Sequence, residues 1–111
     1  MVTGVKKPNG DIKISYEAPL GAVAYLIHYA DANETDPHNA RYMGYSETIE
    51  FTLAAADIPV GATTGDKIPF WVQAYGVLAP SGTTNVEKAA ALHDADVEGS
   101  AWSTPVVEVT I

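Results

Sequence analysis

The chain has no cysteine among its 111 residues, which excludes a disulfide framework and all thiol chemistry. Basic side chains are scarce. Six Lys and Arg face 14 Asp and Glu, for a formal charge of -8. A surface of that sign repels phosphate backbones and anionic lipid, so nucleic acid and membrane faces are poor partners. No apolar run approaches the ~18 residues that would cross a bilayer, and Met1-Val2-Thr3-Gly4 lacks the basic and apolar regions of a signal peptide. Chemistry-bearing motifs are missing as well: no Gly-rich phosphate loop opens a helix, and no serine sits in a recognised nucleophile motif.

What is present is a set of short strands. A length of 111 residues and an apolar fraction of 47% suit one domain, 1–111, with its own core. Ile12-Lys13-Ile14-Ser15-Tyr16 alternates apolar and polar residues, the period of a strand with one buried face. It follows Pro8-Asn9-Gly10-Asp11, a turn built on residues that tolerate positive φ, and Val2 to Val5 precedes that turn as a first strand. Val23 to Tyr29 is almost wholly apolar, as in a central strand covered on both faces. Arg41 to Tyr45, Thr48 to Leu53, Ile68 to Tyr75 and Thr104 to Ile111 complete seven strands. Pro69 lacks an N–H, so it belongs at a strand start or an unpaired position. Short strands with turn chemistry between them predict an all-β, seven-stranded sandwich.

Residues 76–101 break the rhythm, separating the last two strands by far more than the ~2–5 residues of a hairpin loop. Within them Thr84-Asn85-Val86-Glu87 matches a capping box, and Lys88-Ala89-Ala90-Ala91-Leu92 continues with good helix formers. A short helix of roughly two turns, ending near His93-Asp94, is expected there.

Laid end to end, these segments resemble a fibronectin type III domain, an immunoglobulin-like sandwich. Ile12-x-Ile14-x-Tyr16 with Glu17-Ala18-Pro19 is similar to that family's second strand, and Tyr25-x-Ile27-x-Tyr29 to its third. Phe70-x-Val72-x-Ala74 resembles the sixth strand, and Ser103-Thr104-Pro105 the lead-in to the seventh. Two positions depart from the pattern: Tyr16 replaces the usual Trp, and Ile68 stands where the family has a corner tyrosine. The resemblance implies a non-enzymatic structural or interaction module of a larger extracellular, cell-surface or phage virion (tail) protein of bacterial or bacteriophage type. Neighbouring domains of a longer chain are then expected, since the sequence starts and ends on strands. A protein or a cell-surface polysaccharide is the partner the resemblance implies, with no cofactor. The alternative is a carbohydrate-binding accessory domain.

Candidate binding residues are Trp71, Tyr75, Leu78 and Trp102. Trp71 and Tyr75 alternate with the core set Phe70, Val72 and Ala74, and so face the other side of the sheet. With Tyr42 or Tyr45 they would make a platform for pyranose rings. The competing expectation is that 76–101 folds back over them, with Leu78, Val86, Ala90 and Trp102 as the cover, because an exposed Trp and Tyr would leave a sizeable apolar patch. Asp31, Asn33, Glu34, Asp36 and His38 gather oxygen ligands, but the sixth position from Asp31 is Asp36 and the twelfth is Tyr42, where an EF-hand needs Gly and Glu. That stretch reads as a solvated loop, and no metal is assigned. His93-Asp94-Ala95-Asp96 reads as helix-end polarity, and His28 as a partly buried structural histidine. Asn33-Glu34-Thr35 is a glycosylation sequon, relevant only in a secreted eukaryotic chain.

Overall fold

The computed structural model describes residues 2–111. Seven strands and one α-helix follow in the order β1 (Val2–Lys6), β2 (Ile12–Tyr16), β3 (Ala24–Tyr29), β4 (Tyr42–Ser46), β5 (Glu50–Leu53), β6 (Lys67–Tyr75), α1 (Asn85–Asp94) and β7 (Val107–Thr110). They form two antiparallel sheets, one in the order β1-β2-β5 and the other β4-β3-β6-β7. The result is an all-β sandwich with one short helix.

Between the sheets lies a core of alternating residues. Ile12, Ile14, Tyr16 and Leu53 from the smaller sheet meet Tyr25, Ile27, Tyr29, Ile68, Phe70, Val72 and Val109 from the larger. At roughly 25 cal/mol per Å² of apolar surface removed from water, this shared face is the main source of stability. Gly44 is part of the fit. A Cβ there would collide with the Phe51 ring, so the absent side chain lets β5 close onto the inner face of β4. Tyr16 is buried in this core. Its hydroxyl donates to the Thr48 carbonyl at 2.9 Å, and burial pushes its pKa up to about 12.

Most strand boundaries shift by a residue, and those of β5 and β7 shift further. β5 begins at Glu50 rather than Thr48, because Thr48 and Ile49 belong to a turn held by Ser46. The Ser46 hydroxyl donates to the Glu50 carbonyl at 2.6 Å and accepts from the Thr48 N–H at 3.1 Å. β7 begins at Val107 rather than Thr104. The upper edge of β6 is closed instead by two serines: Ser100 and Ser103 donate backbone N–H groups to the Ala74 and Val72 carbonyls, while their hydroxyls accept from the Ala74 and Val72 N–H groups, all at 2.8–2.9 Å. The free half-edge of a long strand is thereby satisfied without a strand, and Pro105, joined to Thr104 by a cis peptide bond, has no N–H to offer a ladder. β3 begins at Ala24, with Val23 exposed beside it.

Pro69 is tolerated inside β6 for a geometric reason. The odd residues of this strand turn their backbone groups toward β3, and the β3 ladder stops at Tyr29↔Phe70, one residue short of Pro69. No partner asks for the missing N–H.

Candidate functional site

The outward face of the larger sheet carries Ala24, Leu26 and His28 from β3, Met43 and Tyr45 from β4, and Trp71, Gln73 and Tyr75 from β6, as the registers require. This face is not open. α1 lies across it, with the capping box formed as the sequence predicts. Thr84 Oγ1 accepts from the Glu87 N–H at 3.2 Å, and the Glu87 carboxylate accepts from the Thr84 N–H at 3.0 Å. Those backbone bonds hold the Glu87 pKa below the usual carboxylate range. The helix runs ten residues and buries Ala89 and Leu92 against Ala24, Leu26, Tyr45 and Tyr75.

The expected cover therefore needs correcting in its members. Leu78 is 53% exposed and Val86 is exposed too, while Ala89 and Leu92 are fully buried. The helix presents its i, i+3 pair to the sheet instead of the Val86–Ala90 pair. The sugar platform is overturned in that form as well. Trp71 is only 4% exposed and Tyr75 is buried, so neither offers a ring face. Tyr42 points to the opposite side of the sheet, where its ring stacks on Tyr29 at 5.3 Å, and Tyr45 lies beneath the helix.

Past α1 the chain returns as a strap over β6, and here His28 finds its surroundings. Its imidazole is 1% exposed and stacks on Trp102 with ring centroids 3.9 Å apart and planes 14° from parallel. Nε2 donates to Gln73 Oε1 at 3.1 Å, and the Tyr75 hydroxyl donates to the same oxygen at 3.2 Å. His93 on α1 sits edge-on at 6.3 Å. Burial pushes the His28 pKa down to about 4; the hydrogen bond to Gln73 opposes that shift and His93 adds slightly to it. A neutral imidazole at pH 7 serves here as a flat, hydrogen-bonded support for an indole. Trp102 itself is half-buried, and it lines an open cleft of about 460 Å³ with Pro37, His38 and Ala40.

The acidic loop is organised by its own backbone. Asp36 caps a 3₁₀ turn, Pro37–Asn39, accepting from the His38 N–H at 2.9 Å. The Glu34 carboxylate accepts from the Thr35 and Asp36 N–H groups. Asn33 has φ 64°, a left-handed conformation that Asn tolerates, and its side chain accepts from the Lys67 N–H. These carboxylates turn inward on the loop, and among the described residues no group of three or more His, Asp or Glu is arranged to hold a metal ion.

A second surface escaped sequence reasoning. Nine large apolar side chains are exposed among the described residues, and five of them, Leu20, Val23, Ile49, Val77 and Leu78, gather at one end of the sandwich. That end is where the loops β2–β3, β4–β5 and β6–α1 converge. Val23 donates its N–H to the Tyr75 carbonyl, and the Ile49 carbonyl accepts from the Tyr16 N–H. Pro19, Leu20, Gly76 and Glu98 line one shallow cleft of about 310 Å³ there. The signal in the sequence was five apolar residues on three separate loops, which come to one end of the sandwich only when the topology brings the loops together.

Comparison with family models, with curated proteins and with solved structures finds no match to this chain. Function has to be argued from the surfaces just described.

Proposed function

We propose that the chain is a non-enzymatic interaction module of the fibronectin type III kind, working within a larger extracellular, cell-surface or virion protein. The family reading is supported by the strand order. β3, β6 and β7 lie side by side with β4 added at the β3 edge, against β1-β2-β5, as in immunoglobulin-like sandwiches. The interaction reading is carried by one observation, the apolar patch at the loop end. Leu20 is fully exposed there, and Val23, Val77 and Leu78 are exposed at the same end of the sandwich, on loops anchored to a rigid scaffold. The test is a surface-displayed library of random 12-residue peptides, selected on the whole chain and counter-selected on the variant Leu20→Asp/Leu78→Asp. Clones that bind the wild type at least tenfold better than the variant support the reading. A library yielding no clone that distinguishes the two, while both melt at the same temperature, overturns it.

A second reading, carbohydrate binding, keeps one observation in its favour. Trp102 is seated on His28 and lines the cleft with Pro37 and His38, so a single indole is available where the sequence suggested three aromatics. Titrating tryptophan fluorescence with a panel of polysaccharides tests it. An emission shift that disappears in Trp102→Ala supports it, and a flat response across the panel removes it.

A further inference from the structure

We infer that the loop end is built for a polypeptide segment carrying Lys or Arg beside apolar side chains. The inference rests on the interaction reading above and adds the partner's chemistry.

Two of the three converging loops pair apolar residues with carboxylates, and the return strap adds a third carboxylate. Glu17 and Leu20 share the β2–β3 loop, Glu47 and Ile49 the β4–β5 loop, and Glu98 joins Leu20 in lining the cleft that the return strap forms with Gly76. All three glutamates are exposed. Residues 17–23, 47–49, 76–84 and 95–103 contain no Lys or Arg at all. Four of the six basic residues stand at the far end instead. Lys6 closes β1, Lys67 opens β6, Arg41 precedes β4 and Lys7 follows β1. Lys13 is mid-sheet, paired with Glu50 at 2.9 Å, and Lys88 lies on α1 over the Tyr45 ring.

Distance decides what a partner would feel. The nine residues of β6 separate Lys67 from the loop end, and at ~3.3 Å per residue that is roughly 30 Å, several times the ~8 Å Debye length at physiological salt. The far-end cations are screened out, and the local field at the loops is that of three glutamates against one nearby ammonium, Lys88, which lies 6.0 Å from the ring of Tyr45 near the loop end of β4.

Other ligand classes fit less well. Anionic lipid and nucleic acid are repelled by this end. A sugar needs an aromatic face, and loops 17–23, 47–49 and 76–84 have no Phe, Tyr or Trp. A second copy of the chain would bring the same carboxylates to its own. A cationic segment with apolar neighbours satisfies both the patch and its rim: apolar contacts supply the buried area, and the carboxylates supply orientation and association rate.

The peptides recovered from the selection above provide the test. Expected are sequences enriched in Lys or Arg next to Leu, Ile or aromatic residues. Their binding should weaken about tenfold in Glu47→Lys/Glu98→Lys, and in Glu98→Lys to a lesser extent. It should be unchanged in Glu108→Lys, a reversal on β7, in every case with the melting temperature retained. Recovered peptides that are neutral or acidic, yet still depend on Leu20 and Leu78, overturn the cationic partner and leave the interaction surface standing. Cationic peptides weakened equally by Glu108→Lys overturn it too, since they read net charge alone. Where no clone depends on Leu20 and Leu78, both readings fall together.

Discussion

The two faces of the β4-β3-β6-β7 sheet are buried by different means. The inner face is covered by a second sheet, through long-range pairing and a continuous set of aliphatic and aromatic side chains with no buried ionisable group other than tyrosine. The outer face is covered by one helix and one strap, whose fully buried contribution is Ala89 and Leu92, together with a buried imidazole under a half-buried indole. The inner interface thus defines the sandwich, while the outer cover is a local addition over a smaller buried cluster. Regions of that kind open at lower free energy than the global fold.

The contrast breaks most sharply at Phe70, fully buried between the sheets. Phe70→Ala should cost about 3–5 kcal/mol and lower the urea midpoint of the whole molecule, measured alike by far-UV circular dichroism and tryptophan emission. A loss confined to tryptophan emission would mean that the inner interface does not define the sandwich.

Acid acts on the other face. The His28 pKa in the folded chain, about 4, lies below the ~6.5 of a free imidazole. The unfolded chain therefore binds more protons between these values, and stability is full above pH 6.5 and declines as pH falls toward 4. The span corresponds to about 3 kcal/mol at most. Urea unfolding at pH 7, 5.5 and 4 should show the decline in the wild type and a smaller one in His28→Gln. Identical profiles would show that the buried imidazole contributes nothing. Carboxylates held by backbone N–H groups, among them Glu34, Asp36, Asp66 and Glu87, have lowered pKa values; their contribution is lost only as pH falls further, through those folded values.

Leu92→Ala should cost about 2–3 kcal/mol, near the low end for a buried leucine because the site lies under a single helix. It should loosen the cover before the sandwich, so hydrogen exchange would accelerate in 85–103 while β2, β3 and β6 keep their protection. Uniform acceleration would merge the two faces into one cooperative unit. The smallest effect belongs to the helix start: Thr84→Ala removes one side-chain cap and should cost about 1 kcal/mol, read as a shift in melting temperature.

How much of this was legible in the sequence follows the same division. Period-two alternation in Ile12–Tyr16 and Phe70–Ala74 revealed the inner face, because a strand's two faces are fixed by parity alone. The helix was readable from Thr84 and Glu87, whose spacing is a local signal. Which face of the helix turns inward was not readable: with Ala89, Ala90 and Ala91 in a row, apolarity surrounds the axis, and packing over Tyr45 and Tyr75 selects Ala89 and Leu92. Parity placed Trp71 and Tyr75 outward, and the apolar patch they would leave pointed to a cover by 76–101, but which residues make that cover depends on a segment that folds back from up to some thirty residues away. The environment of His28 was hidden for the same reason, since Trp102 and His93 meet it only through tertiary structure. The loop-end patch needed the topology before Leu20, Ile49 and Leu78 could be seen together.

The covered outer face is tested most directly by acrylamide quenching of Trp102→Phe, a variant that keeps an aromatic ring on His28 and leaves Trp71 as the only indole. Blue-shifted emission, with quenching several-fold weaker than in the urea-unfolded chain, is the predicted result. Emission and quenching equal to those of the unfolded chain, in a protein whose far-UV spectrum is still that of a sandwich, would contradict the cover.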